Sequence, residues 1–248
     1  MGFTIGGTRD NHAIRRAPRH VRLGALTPEV TAVAEYTGLW GWDVLAGTRA
    51  LPPESGHPRC SCGRTCDTPG AHPSRGGPVL AAGTTLTEVA RSWPAPEAGR
   101  SVLLATGTRF DAVEAPAAAA EYAVLRMERM GLRLGPVALR PDGRAWFVMA
   151  PGTARLATAA RAAGALRGVG RGGHVVAPPS RLPGLGPVRW LRAPDPENAA
   201  AFPDPRVLLR TLEAAAARGG APGRAAAAVA PQLPCDRNAR HTDGARSA

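Results

Sequence analysis

Lysine is absent from this chain of 248 residues, so all 31 of its basic side chains are arginines. They outnumber the 19 acidic side chains and give a formal net charge of +12. Because a guanidinium group can donate two hydrogen bonds to one phosphate and can stack on bases, this charge favours a nucleic acid as partner. A codon bias toward G and C also enriches arginine at the expense of lysine, and it is the alternative explanation for part of the charge.

The absence of lysine also excludes one class of activity. The phosphate-binding loop of P-loop motors has the pattern Gly-x4-Gly-Lys followed by Ser or Thr, and its lysine contacts the phosphates. The sequence holds no such loop, so a helicase motor is excluded. Strand separation, where it is needed, would depend on a separate helicase.

Long hydrophobic runs are missing as well. No stretch approaches the roughly 18 apolar residues that a membrane span requires. The basic segment from Arg15 to Arg22 is not followed by the apolar region of a secretory signal. We therefore expect no membrane association and a cytoplasmic location.

Aromatic residues make up only 4% of the chain, whereas hydrophobic residues as a whole make up 44%. The core must therefore rest mainly on Ala, Val and Leu, which bury less area than aromatic rings, and we expect modest stability. Each tryptophan lies within or beside an apolar segment, which favours a core position over base stacking. These residues are Trp40, Trp42, Trp93, Trp146 and Trp190.

Periodicity and turn residues divide the chain into a central domain and two tails. Residues 1–27 are predicted to form a basic flexible tail, and residues 218–248 a disordered one. Helical and strand patterns alternate irregularly over residues 28–217, which predicts a single α+β domain. The predicted helices are 28–38, 85–93, 117–130, 154–166 and 205–217. The predicted strands are 42–45, 101–105, 110–115, 137–139, 146–149, 174–177 and 188–191.

Three local features sharpen this prediction. Thr27 before Pro28, and Thr85, are placed as helix N-caps. In the helix over residues 117–130, Leu125 and Met130 are predicted on the apolar face, with Gly131 as the C-cap. Residues 47–82 are rich in Pro, Gly and Cys and are predicted to form an irregular excursion.

Three of the four cysteines lie close together, with C-x-C-x3-C spacing at Cys60, Cys62 and Cys66. In a cytosolic chain such crowding favours a metal over a disulfide. A closed zinc site needs a fourth ligand, and His72 is preferred to His57 because it lies on the turn Pro-Gly-x-His-Pro. The sequence thus predicts a structural Zn²⁺ site, the alternative being reduced cysteines in a loop.

Four segments, in this order, resemble the prim-pol family, the bifunctional primase–polymerase domains of the archaeo-eukaryotic primase superfamily. Residues 34–45 (AEYTGLWGWDVL) are similar to its opening helix, and the cysteine-rich loop 57–73 is similar to its "PGKHP" loop, with Ala71 at the lysine position. Residues 106–116 resemble the strand of its first acidic motif, and residues 172–180 (GGHVVAPPS) resemble its "GGYVVAPPS". The resemblance covers about residues 30–215 and implies a mixed sheet flanked by helices.

The family is a DNA-directed nucleotidyltransferase that uses Mg²⁺ or Mn²⁺ held by an Asp-x-Asp pair and a third acid. The resemblance places the first acid at Glu114, but it places the second at Pro116 and the third near Arg167. The family's histidine falls near Trp146. Asp111 is the nearest other acid, yet residues i and i+3 of a strand point to opposite faces. Asp111 and Glu114 are thus the remaining catalytic candidates.

A phosphate-binding loop is the second candidate site. Gly172, Gly173 and His174, with Ser180 and Arg181, could approach and donate to an anion. The alternative is a glycine turn into a strand that ends at Pro178 and Pro179. Seven arginines could surround the same cleft and bind a nucleic-acid backbone, or else form a solvated surface. They are Arg140, Arg144, Arg167, Arg171, Arg181, Arg189 and Arg192.

Three functions follow from these observations. The first is a primase/polymerase-like protein that binds DNA or nucleotides with weak or no nucleotidyltransferase activity. The second is an active primase–polymerase, which would use Asp111 and Glu114 with Mg²⁺ or Mn²⁺ to make primers in the replication of a mobile element. The third is a non-enzymatic interaction scaffold.

Overall fold

The computed structural model describes residues 27–54, 56–63, 66–93, 99–159 and 165–219. They form five helices and twelve strands, which confirms the predicted α+β class. The helices are α1 (Pro28–Ala34), α2 (Leu86–Ser92), α3 (Ala117–Arg129), α4 (Ala154–Ala159) and α5 (Pro205–Gly219), and a π-helical segment, Glu35–Leu39, continues α1. The strands are β1 (Val44–Glu54), β2 (His57–Cys60), β3 (Val79–Leu80), β4 (Arg100–Ala105), β5 (Asp111–Pro116), β6 (Val137–Leu139), β7 (Arg144–Met149), β8 (Arg167–Val169), β9 (His174–Ala177), β10 (Arg181–Leu182), β11 (Gly186–Pro187) and β12 (Arg189–Arg192).

The strands form two five-stranded antiparallel sheets and one small hairpin. The first sheet has the order β2-β1-β4-β9, with β3 also paired to β1. The second has the order β12-β6-β7-β5-β8, and β10 pairs with β11. Because β9 follows β8 directly in the chain, the segment between them carries the backbone from the second sheet to the first.

The two faces of the second sheet bury different partners. Val113 and Phe147 belong to a core cluster with residues of α3 and α5, such as Met127 and Leu208. Ala112, on the other face of β5, belongs to a cluster that also contains residues of the first sheet. The second sheet is therefore covered by helices on one face and by the first sheet's core on the other.

Five aromatic rings gather in the shared core, although aromatic residues are few in the sequence. Trp42 lies between Tyr36 and Phe110, with ring centroids 5.8 Å and 5.5 Å away. Trp190 contacts both Tyr36 and Trp146, at 6.2 Å and 5.4 Å. Concentrating large rings in one place gives a core of small side chains a well-packed centre. The tryptophan prediction is confirmed, since Trp42, Trp93 and Trp146 are buried and Trp40 and Trp190 pack against the same core.

The predicted helix starts are confirmed. The hydroxyl of Thr27 accepts a hydrogen bond from the Val30 amide, and Pro28 occupies the first helical turn. Thr85 and Glu88 form a reciprocal capping box at the start of α2. These helix caps can be predicted from the sequence because the cap residue and its hydrogen-bond partner lie within one turn of each other.

Two predictions about elements were wrong. β1 runs to Glu54, and β2 and β3 lie within the stretch 47–82 that was predicted to be irregular. Leu125 and Met130 are each 55% exposed, because α3 buries a different arc of its surface. That arc is mostly alanine and comprises Ala119, Ala120, Ala123, Val124 and Met127.

Other predictions fall partly outside the described residues. The tails over 1–26 and 220–248, and residues 160–164 of the helix predicted after Ala154, lie outside them. The α5 helix continues two residues beyond the predicted end at Ala217. Within the described part of the chain, no helix is both long and apolar enough to cross a bilayer.

Candidate functional site

A cleft of about 600 Å³ lies beside the β8–β9 connection. The loop with Ala71 and His72 lines it on one side, and Glu114 of β5 lines it on another. The segment from Gly172 to Val176 completes the wall. Three arginines against a single glutamate also line the cleft, namely Arg140, Arg144 and Arg167.

Glu114 is buried at the base of the cleft, with its side chain 5% exposed. Arg140 Nη1 donates to its Oε1 at 3.1 Å, and Arg167 Nε donates to its Oε2 at 2.8 Å. Arg167 lies directly opposite Glu114 on the neighbouring strand β8, where cross-strand pairs of opposite charge are stabilising. Both carboxylate oxygens are thus engaged by guanidinium groups, and the nearby Glu114 raises the pKa of Arg167 through this hydrogen bond.

Asp111 starts the same strand but serves a different purpose. Its Oδ2 accepts a hydrogen bond of 2.8 Å from the backbone amide of Ala154, the first residue of α4. The hydroxyl of Thr153 donates instead to the carbonyl of Ala150, so the aspartate supplies the helix cap. Asp111 and Glu114 therefore lie on opposite faces of β5, as the strand period predicts.

This arrangement does not fit a two-metal site for nucleotidyl transfer. Such a site needs several carboxylates around one position, so that two divalent ions can contact the reacting oxygens. Here Asp111 and Glu114 do not converge, and Pro116 and Arg167 occupy the positions where the resemblance implies further acids. Within the described residues, the one group of three or more Asp, Glu, His or Cys side chains close enough to share an ion is in the cysteine-rich loop, and it contains neither Asp111 nor Glu114.

Trp146, at the position of the family's histidine, belongs to the core. It is fully buried, and its indole Nε1 donates to the carbonyl of Val176 at 2.9 Å. Since Trp146 lies on β7 and Val176 on β9, the bond joins the two sheets below the cleft. The ring fills space and offers no group that can contact a phosphate.

The glycine turn before β9 is tightly packed. A Cβ on Gly173 would lie 2.6 Å from Cγ1 of Val169 and 2.9 Å from the carbonyl oxygen of Gly170. Gly172 has a φ of +79°, which side chains rarely adopt. His174 Nε2 lies 3.2 Å from the carbonyl oxygen of Ala71, which assigns the proton to Nε2. Burial lowers the pKa of His174, which favours the uncharged ring.

Ser180 and Arg181 do not join this wall. The Ser180 hydroxyl is buried between strands, where it accepts from the Val102 amide at 2.8 Å and donates to the Val102 carbonyl at 3.2 Å. Arg181 lines a different depression beside Pro52 and Leu185. The structure thus separates these two residues from Gly172, Gly173 and His174, because the chain turns away from the cleft after Ala177.

Of the seven arginines predicted around the cleft, three line it. Arg171, Arg181 and Arg189 are not among its lining residues, and Arg192 pairs with Glu128 at 2.6 Å. The pairing of Arg140 with Glu114 was not predictable from the sequence. That contact depends on the β5–β7 and β6–β7 registers, which no local pattern encodes.

The cysteine-rich loop forms a compact group of potential metal ligands. One ligand atom from each of Cys60, Cys62, Cys66 and His72 lies within 4.8 Å of the other three. His72 directs Nε2 toward Cys60 Sγ, 3.4 Å away, while its Nδ1 lies 3.1 Å from the Pro73 carbonyl oxygen. A hydrogen bond from the second ring nitrogen to a carbonyl is the usual way to orient a metal-binding histidine. The side chain of His57, the alternative ligand, lies outside the described residues.

The surroundings favour a thiolate at Cys60. Burial alone would raise its pKa, but hydrogen bonds from the Thr48 hydroxyl and from the Gly70 and Cys62 amides outweigh this and lower the pKa to about 6. Burial raises the pKa of Cys66. Three sulfurs and one imidazole suit zinc, since a tetrahedral ion with bonds of about 2.3 Å to sulfur requires ligands about 3.7 Å apart. The residues present therefore fit such an ion.

A family model, described as bifunctional DNA primase/polymerase, N-terminal, matches residues 33–205 of the chain. The matched range contains every segment on which the resemblance was based. Comparisons with curated proteins and with solved structures gave no match.

Proposed function

The chain belongs to the bifunctional DNA primase/polymerase N-terminal family, and from this premise we propose that its cleft binds the phosphates of nucleic acid or nucleotides with weak or no nucleotidyl transfer. The observation that carries the proposal is the state of Glu114. Its two oxygens are held by Arg140 and Arg167, at the position where the family places its first metal-binding acid.

Arginines in place of metal-binding acids change what the cleft attracts. An arginine at a metal site repels a divalent cation and attracts the anion that the cation would otherwise bind. Arg167 donates to Glu114 through Nε while its side chain is 63% exposed, so its terminal nitrogens can reach a ligand in the cleft. Arg144 lines the cleft as well, although one of its nitrogens donates to the Ala165 carbonyl at 3.0 Å.

The glycine turn supports the same proposal. Nothing lies within 4 Å of a Cβ position at Gly172, so the missing side chain there lets a ligand approach the backbone closely, which is how glycine-rich turns hold phosphate. The lowered pKa of His174 favours an uncharged ring, so the arginines supply the attraction. Glu114, Arg140 and Arg167 act here by setting the charge of the cleft.

A primer-synthesis assay tests the loss of catalysis. The protein is incubated with a single-stranded DNA template, all nucleotides, and Mg²⁺ or Mn²⁺. We expect no product above that of a Glu114→Gln variant, because the glutamate is not available to a metal. Product from the unmodified chain that disappears in Glu114→Gln would instead support an active primase–polymerase.

Salt-dependent binding tests the phosphate site. Each phosphate contact with a single strand contributes about 0.7 to the slope of log affinity against log salt concentration. We expect Arg167→Gln to weaken binding of single-stranded DNA and to reduce that slope. Arg129→Gln, on the exposed side of α3, is the matched control and should change neither. Absence of any salt-dependent binding would favour the interaction scaffold.

We further propose that Cys60, Cys62, Cys66 and His72 hold a structural Zn²⁺. Bound zinc would hold four points of the loop together beside β1 and so stabilise the cleft wall at Ala71 and His72. Metal analysis of the purified protein should give one zinc per chain, and Cys62→Ser should lose it and unfold at a lower temperature. Protein without zinc, in which all thiols react freely, would contradict the proposal.

The last part of the proposal concerns the biological role of the protein. We propose a role in DNA replication, as in a mobile element, because the family is one of DNA primase/polymerases. A cytoplasmic location stays a prediction. The family match has no bearing on a separate helicase, which stays a prediction.

A further inference from the structure

Three segments meet beside the cleft, and an exposed arginine lies on each of them. Arg109 lies in the β4–β5 turn, Arg155 at the start of α4, and Arg171 in the β8–β9 turn. We call these three residues the arginine surface. None of them is among the described residues that line the cleft, but Gly172, which follows Arg171 directly, is. The arginine surface therefore adjoins the cleft without being part of it.

The β8–β9 turn is fastened to the β4–β5 turn on both sides of Arg171. The Thr106 amide donates to the Gly173 carbonyl at 3.0 Å, and the Thr106 hydroxyl donates to the Gly170 carbonyl at 2.6 Å. A Cβ on Gly107 would lie 2.1 Å from Cα of Arg171, so the two backbones are in direct contact. The backbone of Arg171 is thus fixed in place, while the residue is exposed.

The other two arginines are brought to the same region by the packing of their neighbours. Arg109 lies two residues after Gly107 in the β4–β5 turn. Arg155 directly follows Ala154, whose Cβ lies 3.1 Å from the position of a Cβ on Gly170. Segments that are distant in sequence therefore place three exposed arginines in one region of the surface.

Within the described residues, no acidic side chain pairs with these arginines. The segments 106–110, 150–155 and 170–173 contain neither Asp nor Glu, and none of the three arginines forms an ion pair with a described residue. Asp111, two residues after Arg109, is buried, and its Oδ2 accepts from the Ala154 amide. Positive charges that are close together produce a local potential that attracts a ligand with several negative charges.

We propose that the arginine surface binds the backbone of a single nucleic-acid strand where the strand leaves the cleft. A guanidinium group can donate two hydrogen bonds to one phosphate, and a strand presents one phosphate after another, so each arginine can contact its own. The identification of the ligand as a strand rests on the proposed function of the cleft, whereas the position and charge of the surface do not.

Binding of a labelled single-stranded DNA of about 12 nucleotides tests the proposal, since this length is within the usual site size of single-strand-binding domains. Fluorescence anisotropy is measured over a series of salt concentrations for the unmodified protein and for a triple variant with Arg109→Gln, Arg155→Gln and Arg171→Gln. We expect the affinity of this variant to fall at least about 10-fold and its salt slope to fall by about 2, as for three lost phosphate contacts at about 0.7 each.

A second triple variant is the matched control. It removes the same charge from exposed positions of α3 and α5, by Arg129→Gln, Arg206→Gln and Arg210→Gln. We expect it to bind DNA as the unmodified protein does. An equal loss of affinity in this control would show that net charge alone matters and would contradict a localised surface.

A third triple variant, with Arg109→Lys, Arg155→Lys and Arg171→Lys, tests whether charge is the cause. It keeps the positive charges and should retain most of the salt slope. A loss as large as that of the glutamine variant would show that the effect does not come from phosphate contacts, and it would overturn the proposal.

Arg167→Gln, in the cleft, separates this proposal from the proposed function. Weaker binding in Arg167→Gln, with unchanged affinity and slope in the glutamine triple variant, would overturn the arginine surface and leave the cleft proposal intact. Weaker binding in the glutamine triple variant alone would support the surface and contradict the cleft. If that variant loses binding to polyglutamate while its DNA binding is unchanged, the surface recognises an acidic protein and the strand is the wrong partner.

Discussion

Glu114 shows how a single residue sets the character of the cleft. It is the one acid among the described residues that line the cleft, and it is buried between a well-covered arginine and an exposed one. Removing one partner from a buried ion pair leaves a charge without compensation, at a cost of about 3 kcal/mol, whereas an exposed pair contributes about 1 kcal/mol or less. The two arginines should therefore contribute unequally to stability.

We predict that Arg140→Gln destabilises the protein by about 1–3 kcal/mol, because its side chain is 16% exposed and Oε1 of the buried Glu114 loses its donor, while Arg167 still pairs with Oε2. Arg167→Gln, whose side chain is 63% exposed, should cost about 1 kcal/mol or less. Urea unfolding of both variants gives the comparison. Equal losses in the two variants would show that burial does not decide the strength of these pairs.

Asp111 belongs to the structure of α4, and its variants separate that role from catalysis. Asp111→Ala removes the acceptor for the Ala154 amide and should cost about 1 kcal/mol in the free energy of unfolding, as lost helix caps do. Asp111→Asn keeps an acceptor oxygen and should cost less. DNA binding should be the same in both variants. A loss of DNA binding in Asp111→Asn, at unchanged stability, would place the residue in the site after all.

At the scale of the elements, local sequence patterns predicted those whose signals lie within a few residues. The strands β4, β7 and β9 are short apolar runs, and α1 and α2 begin at threonine caps. The length of β1 could not be predicted in this way. Its second half contains Pro52 and Pro53 and has no alternating pattern, and it is defined by pairing with β2, which follows it in a short hairpin.

The face of α3 illustrates the same limit. Leu125 is the larger side chain, but alanines at Ala119, Ala120 and Ala123 face the core. Small side chains allow close approach of α5, so the partner helix selects the buried face. The candidate site shows the same difference between local and long-range features. The opposite faces of Asp111 and Glu114 were predictable from the strand period, whereas the contact between Arg140 and Glu114 was not.

Two turn glycines differ in how closely other elements pack against them. Gly107 joins β4 to β5 with a φ of +97°, and a Cβ there would lie 2.1 Å from Cα of Arg171 in the turn before β9. Gly83 has a similar φ of +90°, but nothing lies within 4 Å of a Cβ at that position. Any other residue at either position would adopt an unfavourable backbone conformation. A side chain at residue 107 would in addition displace the turn before β9, which lines the cleft.

We predict that Gly83→Ala costs about 1–2 kcal/mol of stability, which is the backbone strain alone. Gly107→Ala should cost clearly more and should also weaken DNA binding, because the shift reaches Gly172 and Gly173. Thermal unfolding and anisotropy on both variants provide the comparison. Similar stability losses in the two alanine variants would mean that the turn before β9 can shift away from the new side chain without lowering the free energy of unfolding.

For the molecule as a whole, the main question is whether the two sheets unfold as one unit. Residues of both sheets share one core cluster, and the aromatic rings of Trp42, Trp146 and Trp190 lie within it. The bond from Trp146 to the Val176 carbonyl ties β7 of one sheet to β9 of the other. Because the cleft lies where the sheets meet, its geometry depends on this junction.

We predict that the described domain unfolds in a single transition and that Trp146→Phe lowers its stability by about 1–3 kcal/mol, since the buried Val176 carbonyl loses its donor. Trp93→Phe is the matched control, because Trp93 is equally large and 4% exposed, and the described residues show no hydrogen bond from its indole nitrogen. Unfolding in urea is followed by circular dichroism and by tryptophan fluorescence. Coincident curves with a larger loss for Trp146→Phe support a shared core, whereas two separate transitions would show that each sheet folds alone and that the cleft joins two independent units.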